Sequence, residues 1–177
     1  MGIRMADDPL LTLSAQLGGT LRQQGWTLAL AESCTGGMAA QSVTAIPGSS
    51  AWFDRGFVTY SNLSKQELLQ VSADLLAQHG AVSIPTAEAM ALGALQGSHA
   101  DIAGAITGIA GPDGGTPEKP VGTVCFAWAL RGQAPMAATH HFKGDRDAIR
   151  RQSVATLLQA LLVFAGGTPT SAEGDRQ

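Results

Sequence analysis

The stretch WTLALAESCTGG, residues 26–37, decides the fold. Residues 26–31 form a short apolar run, which is typical of a strand buried on both faces. The run ends at a glutamate and Ser33, and two glycines then turn the chain into a helix predicted over residues 38–45. A strand, a tight turn and a helix in this order are the building unit of an α/β protein.

Outward from this unit, helices and strands alternate along the chain. Further strands are predicted over residues 52–60, 102–106, 121–130 and 136–142, and a short hairpin-like connection joins the last two. Helices are predicted over residues 10–24, 73–79 and 85–99, and a last helix runs from Asp145 to about residue 164. A further helix is predicted to begin at a capping box formed by Ser64 and Glu67. This order predicts a three-layer α/β/α sandwich with a mixed, mainly parallel sheet. We expect one domain over residues 1–165 and a disordered tail over 166–177.

Composition narrows the class of protein. The chain has 177 residues, of which 45% are hydrophobic, enough to bury the core of one domain. Its net charge of −3 gives no positive electrostatic potential that would attract the phosphates of DNA or RNA. No apolar run approaches the roughly 20 residues of a membrane helix. Its two cysteines stand far apart, which is typical of a reducing compartment and predicts a cytoplasmic protein.

Ser33 is a candidate nucleophile because it stands at the end of a predicted strand, directly before a helix. Helix-start N–H groups are oriented donors, so an oxyanion formed beside Ser33 would find partners there. The alternative is that Ser33 or Thr35 only caps the helix, as in many proteins without catalysis. Cys34 is a rival nucleophile, but its thiolate needs a stabilising group such as histidine, and none is near in sequence.

Lys65 is the candidate base, because none of the four histidines shows the pattern of a catalytic one. A lysine can act as a base where desolvation lowers its pKa towards neutrality. Lys65 follows an aromatic-rich strand, and Tyr60 is near enough in sequence to relay a proton or hold the amine. The alternative is a solvated lysine in a first helical turn and an ordinary sheet tyrosine.

The loop from Thr107 to Gly115 is the densest glycine cluster in the chain, and its backbone amides suit a phosphate or a ribose. It matches neither a P-loop nor a dinucleotide fingerprint, and a plain strand crossover explains it equally well. Asp113 is an isolated carboxylate, so we predict no metal site. Arg146, at the start of the last helix, suits a phosphate or carboxamide oxygen, or else pairs with its acidic neighbours.

Four segments together resemble the CinA C-terminal domain family in their order and spacing: AESCTGG, GSSAWFDRGFVTYSNLSK, TGIAGPDGGTPEKPVGTV and GDRDAIRRQ. The resemblance covers roughly residues 10–163. Standalone members of this family, of the PncC type, are nicotinamide-mononucleotide amidohydrolases. The resemblance implies a three-layer fold that hydrolyses the carboxamide of nicotinamide mononucleotide to nicotinate mononucleotide and ammonia, without cofactor or metal.

Carried onto this chain, the resemblance makes Ser33 the nucleophile, Lys65 its base and Tyr60 a hydrogen-bonding partner. The remaining candidates are expected to bind substrate: Ser50, Thr107, Gly36, Gly37, Gly108 and Arg146. The choice of Ser33 over Ser50 rests on the strand-to-helix geometry, and both hydroxyls stay open as nucleophiles.

Two other functions remain in competition with this interpretation. One is a nucleotide-binding regulatory module of the competence or damage-inducible type, which binds without turnover. The other is a broader serine amidase that is indifferent to the phosphate of its substrate. Apolar helical faces, together with the resemblance, further lead us to expect a homodimer.

Overall fold

The computed structural model describes residues 7–167, which form six α-helices and five strands. The helices are α1 Pro9–Gln24, α2 Met38–Thr44, α3 Asn62–Leu69, α4 Ala73–His79, α5 Ile84–Gln96 and α6 Arg146–Gly167. The strands are β1 Leu28–Glu32, β2 Phe53–Val58, β3 Ile102–Gly108, β4 Thr123–Leu130 and β5 Met136–His141. None of these helices combines the length and the apolar character needed to traverse a lipid bilayer.

The strands form a single sheet in the order β2-β1-β3-β4-β5. β1 pairs in parallel with both β2 and β3, whereas β4 is antiparallel to both β3 and β5. The predicted mixed sheet is confirmed, but two parallel and two antiparallel pairings mean that parallel pairing does not predominate. Because β1, β2 and β3 run in one direction, their carboxyl ends meet at one edge, where open α/β sheets bind ligands.

The two faces of the sheet carry side chains of different size. Large residues such as Leu30, Ile106 and Phe126 pack in one cluster with residues of α1, α2 and α6. The opposite face packs with α3, α4 and α5 and consists largely of six alanines: Ala29, Ala31, Ala103, Ala105, Ala127 and Ala129. Small side chains allow α5 to approach the sheet backbone closely. Packing is equally tight between α5 and α3, since a Cβ on Gly93 would lie 2.1 Å from the Leu69 carbonyl oxygen.

Helix boundaries follow local capping, and three of the predicted boundaries are wrong. α5 ends at Gln96, three residues before its predicted end. α3 begins at Asn62, because the capping box is formed by Ser61 and Ser64 rather than by Ser64 with a later glutamate. At the other end of the chain, α6 continues through Gly167, so the first two positions of the predicted tail are helical. The rest of that tail lies outside the described residues. Asp145 does cap α6, accepting the Ala148 N–H at 2.9 Å.

Candidate active site

A cavity of about 290 Å³ opens at the edge where the three parallel strands end. Ser33 follows β1, Tyr60 follows β2 and Thr107 is near the end of β3, and all three line the cavity. Lys65 reaches it from α3, and Arg146 from the start of α6. The structure therefore brings together residues that are more than 100 positions apart in the sequence.

Ser33 and Lys65 are in direct contact inside this cavity. The Lys65 Nζ lies 3.1 Å from the Ser33 Oγ and donates to the Thr59 carbonyl oxygen at 2.8 Å. Ser33 is 8% exposed and Lys65 only 1%. The Ser33 backbone is fixed as well, because its N–H donates to the Ile106 carbonyl at 3.0 Å and so extends the pairing of β1 with β3.

Lys65 is a buried amine that has no carboxylate partner among residues 7–167. The ion pairs among residues 7–167 join Arg55 to Asp54 and Arg151 to Asp8, and neither involves Lys65. Burial lowers the pKa of Lys65 below its usual value, and the nearby Cys34 opposes this shift. A lowered pKa enlarges the fraction of neutral amine, which is the form that can accept a proton.

Cys34 also lines the cavity, but its thiol is poorly suited to nucleophilic attack. Burial raises the pKa of Cys34 to about 11, and the charge of Glu32 adds to the effect. Because the thiolate is the reactive form, such a thiol is almost wholly protonated and inert near neutral pH. The chemistry of the cavity therefore favours the serine over the cysteine.

The amides at the start of α2 are occupied, which corrects the expectation that they are free for an oxyanion. The Glu32 carboxylate accepts the N–H groups of Gly37 at 3.2 Å, Ala39 at 3.0 Å and Ala40 at 2.8 Å. It also accepts the Thr35 hydroxyl at 2.6 Å. The positive end of the helix is thus neutralised from within by a side chain that is 1% exposed.

Two amides of the turn remain as donors beside Ser33. The Ser33 N–H is bonded to β3, and the Gly36 N–H donates to the Ser33 carbonyl at 3.0 Å. Within the part of the chain that the structure describes, no carbonyl or carboxylate of another residue accepts the N–H of Cys34 or Thr35. Of the two, Cys34 lines the cavity and Thr35 does not, so the Cys34 N–H, rather than the helix terminus proper, is the candidate donor for an oxyanion.

Tyr60 and Arg146 form the mouth of the cavity. Arg146 donates to the Tyr60 hydroxyl at 2.8 Å and to the Gly111 carbonyl at 2.7 Å, which links α6 to the ends of β2 and β3. The hydrogen bonds of the Lys65 amine go to Ser33 and Thr59, not to Tyr60. With 61% of its surface exposed, Tyr60 is a rim residue in contact with Arg146.

Thr107 and Gly108 lie in the wall of the cavity as predicted, although the Thr107 hydroxyl is already engaged. It donates to the Ala81 carbonyl at 2.7 Å and so ties β3 to the segment before α5. Its oxygen keeps only acceptor capacity for a substrate.

Three predicted binding residues are not in the cavity. Ser50 precedes β2 in a short 3-10 turn, Ser49–Ala51, at the amino-terminal edge of the parallel strands and opposite to Ser33. Gly36 and Gly37 shape the turn with positive φ angles of 58° and 100°, but neither lines the cavity; they lie beside Arg150 and Val58, respectively. Their role is to reverse the chain after Ser33, because such angles favour glycine.

Three other residues of the cavity wall were not predicted from the sequence. Asn62 at the start of α3 and the pair Ala81 and Val82 before α5 complete the wall. Only the capping box beside Asn62 marked its position, and nothing in the sequence marked the other two. Within residues 7–167, no three His, Cys, Asp or Glu side chains lie together as a metal site. A larger apolar groove of about 690 Å³ runs along α6 and β5, but Ser33 and Lys65 are not part of it.

The sequence of the chain is similar to those of one protein family. The sequence matches the family model of the CinA C-terminal domain over residues 10–164. The nicotinamide-nucleotide amidohydrolase PncC of Escherichia coli K12 is 54% identical over 157 residues, covering 89% of this chain and 95% of that protein. A putative competence-damage inducible protein of Symbiobacterium thermophilum is 54% identical over 155 residues, covering 83% of this chain and 36% of that longer protein.

A solved structure has the same fold over nearly all of its length. The competence/damage inducible protein CihA of Agrobacterium tumefaciens matches with a TM-score of 0.87 and 41% identity, covering 92% of this chain and 98% of that one. Family model, sequence identity and fold therefore lead to one conclusion: the chain belongs to the CinA C-terminal domain family.

Proposed function

We propose that this protein is a nicotinamide-nucleotide amidohydrolase that converts nicotinamide mononucleotide to nicotinate mononucleotide and ammonia. The observation that carries the proposal is the buried Lys65 amine, free of any carboxylate partner within the described chain, 3.1 Å from the Ser33 hydroxyl. A relative named for this activity, 54% identical and matched over 95% of its length, supports the choice of substrate.

In the first step, the neutral Lys65 amine accepts the Ser33 proton while Oγ attacks the carboxamide carbon. The Thr59 carbonyl can only accept a hydrogen bond, so it holds one amine N–H and leaves the lone pair available to Ser33. The N–H of Cys34, which lines the cavity, stabilises the oxyanion of the tetrahedral intermediate.

In the second half of the reaction, the protonated Lys65 donates its proton to the amide nitrogen. The carbon–nitrogen bond breaks, ammonia leaves and an acyl ester remains on Ser33. Water then attacks the ester carbon while Lys65 accepts its proton, and the proton returns to the Ser33 oxygen as the carboxylic acid departs and loses its own proton to the solvent. The protons taken from Ser33 and from water both move through one amine, so no metal-bound water is required.

Arg146 supports recognition of an anionic substrate. Its guanidinium lies at the mouth of the cavity, where two of its N–H donors hold Tyr60 and Gly111 and the others remain for a phosphate. With the carboxamide beside Ser33 at the cavity floor, the phosphate of a mononucleotide extends towards this cation. The expected consequence is a preference for the nucleotide over the riboside.

Ammonia release from nicotinamide mononucleotide by chelator-treated protein tests the proposal. We expect turnover without added metal and weaker activity on nicotinamide riboside. Both Ser33→Ala and Lys65→Met should lose the activity on nicotinamide mononucleotide. Activity that persists in Ser33→Ala but disappears in Ser50→Ala would move the nucleophile to the other hydroxyl. Tight binding of the nucleotide without ammonia release would favour the regulatory module instead.

The cellular compartment and the oligomeric state of the enzyme are also proposed. We place it in the cytoplasm, because both cysteines are free and buried, as suits a reducing compartment. We expect a homodimer, which sedimentation of the purified protein tests directly. A monomer at micromolar concentration that retains full activity would contradict the dimer without affecting the chemistry.

A further inference from the structure

Glu32 is the most heavily bonded side chain next to the candidate nucleophile. It is the last residue of β1, its carboxylate is buried, and it accepts four hydrogen bonds from the segment that follows Ser33. It does not line the cavity, so it touches no substrate bound there. Any influence of Glu32 on the reaction must therefore act through the residues that it holds.

The helix that Glu32 holds has little stability of its own. α2 has seven residues, and its N-cap position is Gly37, which offers no side-chain cap. Helices of this length are marginal without tertiary support, and an uncapped amino terminus leaves several N–H groups without partners. The Glu32 carboxylate supplies the missing cap from the preceding strand.

The same contacts set the shape of the turn that carries Ser33. One end of the turn is fixed by the Ser33 N–H on β3, while the other contains Gly36 and Gly37, which have the freest backbones of any residue type. The Glu32 carboxylate accepts the N–H groups of Ala39 and Ala40, which lie beyond both glycines, so it closes the turn into a rigid loop. The contact between Ser33 and Lys65 therefore depends on a loop that Glu32 keeps closed.

We infer that Glu32 is a positioning residue for the Ser33–Lys65 pair. The inference rests on the proposed function and adds a residue to its machinery. Loosening the turn shifts Ser33 Oγ relative to Lys65 Nζ, and a misplacement of about 1 Å lowers a rate by about 100-fold. Substrate binding changes little, because Glu32 lies outside the cavity wall.

The test compares Glu32→Gln with Asp8→Asn, a matched change of acid to amide. Asp8 caps α1 by accepting the Leu10 N–H at 3.0 Å, and it does not line the cavity. Two rates are measured on each protein: turnover of nicotinamide mononucleotide, and covalent labelling of Ser33 by a fluorophosphonate probe, followed by mass spectrometry. Labelling reports the reactivity of Ser33 even if the nucleotide is not the substrate.

We expect Glu32→Gln to lower kcat and the labelling rate together by about 10- to 100-fold, with KM within about twofold of wild type. Asp8→Asn leaves both rates unchanged. Thr35→Val removes one of the four donors to Glu32, and we expect a smaller loss of the same kind, which tests the inference if Glu32→Gln does not fold.

Labelling of Ser33 at the wild-type rate in Glu32→Gln would overturn the inference, even if the variant melts earlier. A loss confined to KM would do the same, since it would put Glu32 in substrate binding. Wild type that labels at Ser33 but releases no ammonia refutes the proposed substrate alone, and the labelling rates of the variants still decide the role of Glu32.

Discussion

Replacing Lys65 with methionine separates the catalytic use of this side chain from its structural cost. Methionine matches the aliphatic stem, fits a site that is 1% exposed and carries no charge. The substitution removes the bonds of Nζ to Ser33 Oγ and to the Thr59 carbonyl. Without a base for Ser33, we expect kcat to fall by about 10²- to 10⁴-fold.

The same substitution should make the protein more stable at neutral pH. Each lost hydrogen bond costs about 1 kcal/mol, but an ammonium buried without a carboxylate partner is more costly still. Replacing buried charges with well-packed apolar groups is often stabilising, so we expect a net gain on the order of 1 kcal/mol in the free energy of unfolding. For a chain of this size, the gain corresponds to a rise in Tm of about 2–4 °C.

The pH dependence of this gain gives a second check. The pKa of Lys65 is lower in the folded protein than its usual value of 10.5, so the unfolded chain binds more protons between the two values. Wild-type stability therefore rises with pH in that window, and the advantage of Lys65→Met shrinks as pH approaches 10.5. Thermal unfolding of both proteins at several pH values measures this difference in stability. A variant that is less stable at neutral pH, or that keeps its activity, would refute the reasoning.

Four further outcomes follow from the structure. The kcat/KM of wild type should rise with pH to a midpoint below 10.5, because the neutral Lys65 amine is the proposed base; a rate independent of pH would contradict this. Arg146→Gln should raise KM for nicotinamide mononucleotide by about tenfold but leave KM for the riboside nearly unchanged, since one charge-assisted contact to phosphate is lost. Cys34→Ser should remain active, and native Cys34 should react slowly with iodoacetamide at pH 8, because its pKa is about 11; rapid alkylation would show a more accessible thiolate. Gly93→Ala should lower the free energy of unfolding in urea by about 1–3 kcal/mol, because the added Cβ must displace the Leu69 carbonyl.

Local signals explain the parts of the fold that the sequence predicts well. The apolar run before Ser33 and the glycine pair after it predict β1 and α2 to within two residues of the observed bounds. Ser33 and Lys65 were both candidates, yet each alone fits an ordinary capping or solvated role. Their contact exists because β1 and β2 are neighbours in the sheet, which no local pattern encodes.

The positions that the sequence does not predict depend on the direction of a strand and on the reach of a side chain. Ser50 and Tyr60 belong to one motif, but they flank β2 on opposite sides, and a strand of six residues spans about 20 Å at about 3.3 Å per residue. Proximity in a motif therefore does not place both hydroxyls at one edge. Glu32 was seen only as the end of a strand, because its reach over two glycines to α2 depends on their backbone angles.

The alanine face beneath α5 makes the shape of the cavity sensitive to the volume of the core side chains. α5 begins two residues after Val82, and the Thr107 hydroxyl ties the adjacent Ala81 carbonyl to β3, so the height of this helix sets one wall of the cavity. A methyl group added to one of the six strand alanines would push α5 away from the sheet, and the cavity wall would move with it. Selection for a better-filled interior at this interface would thereby also be selection on the shape of the cavity.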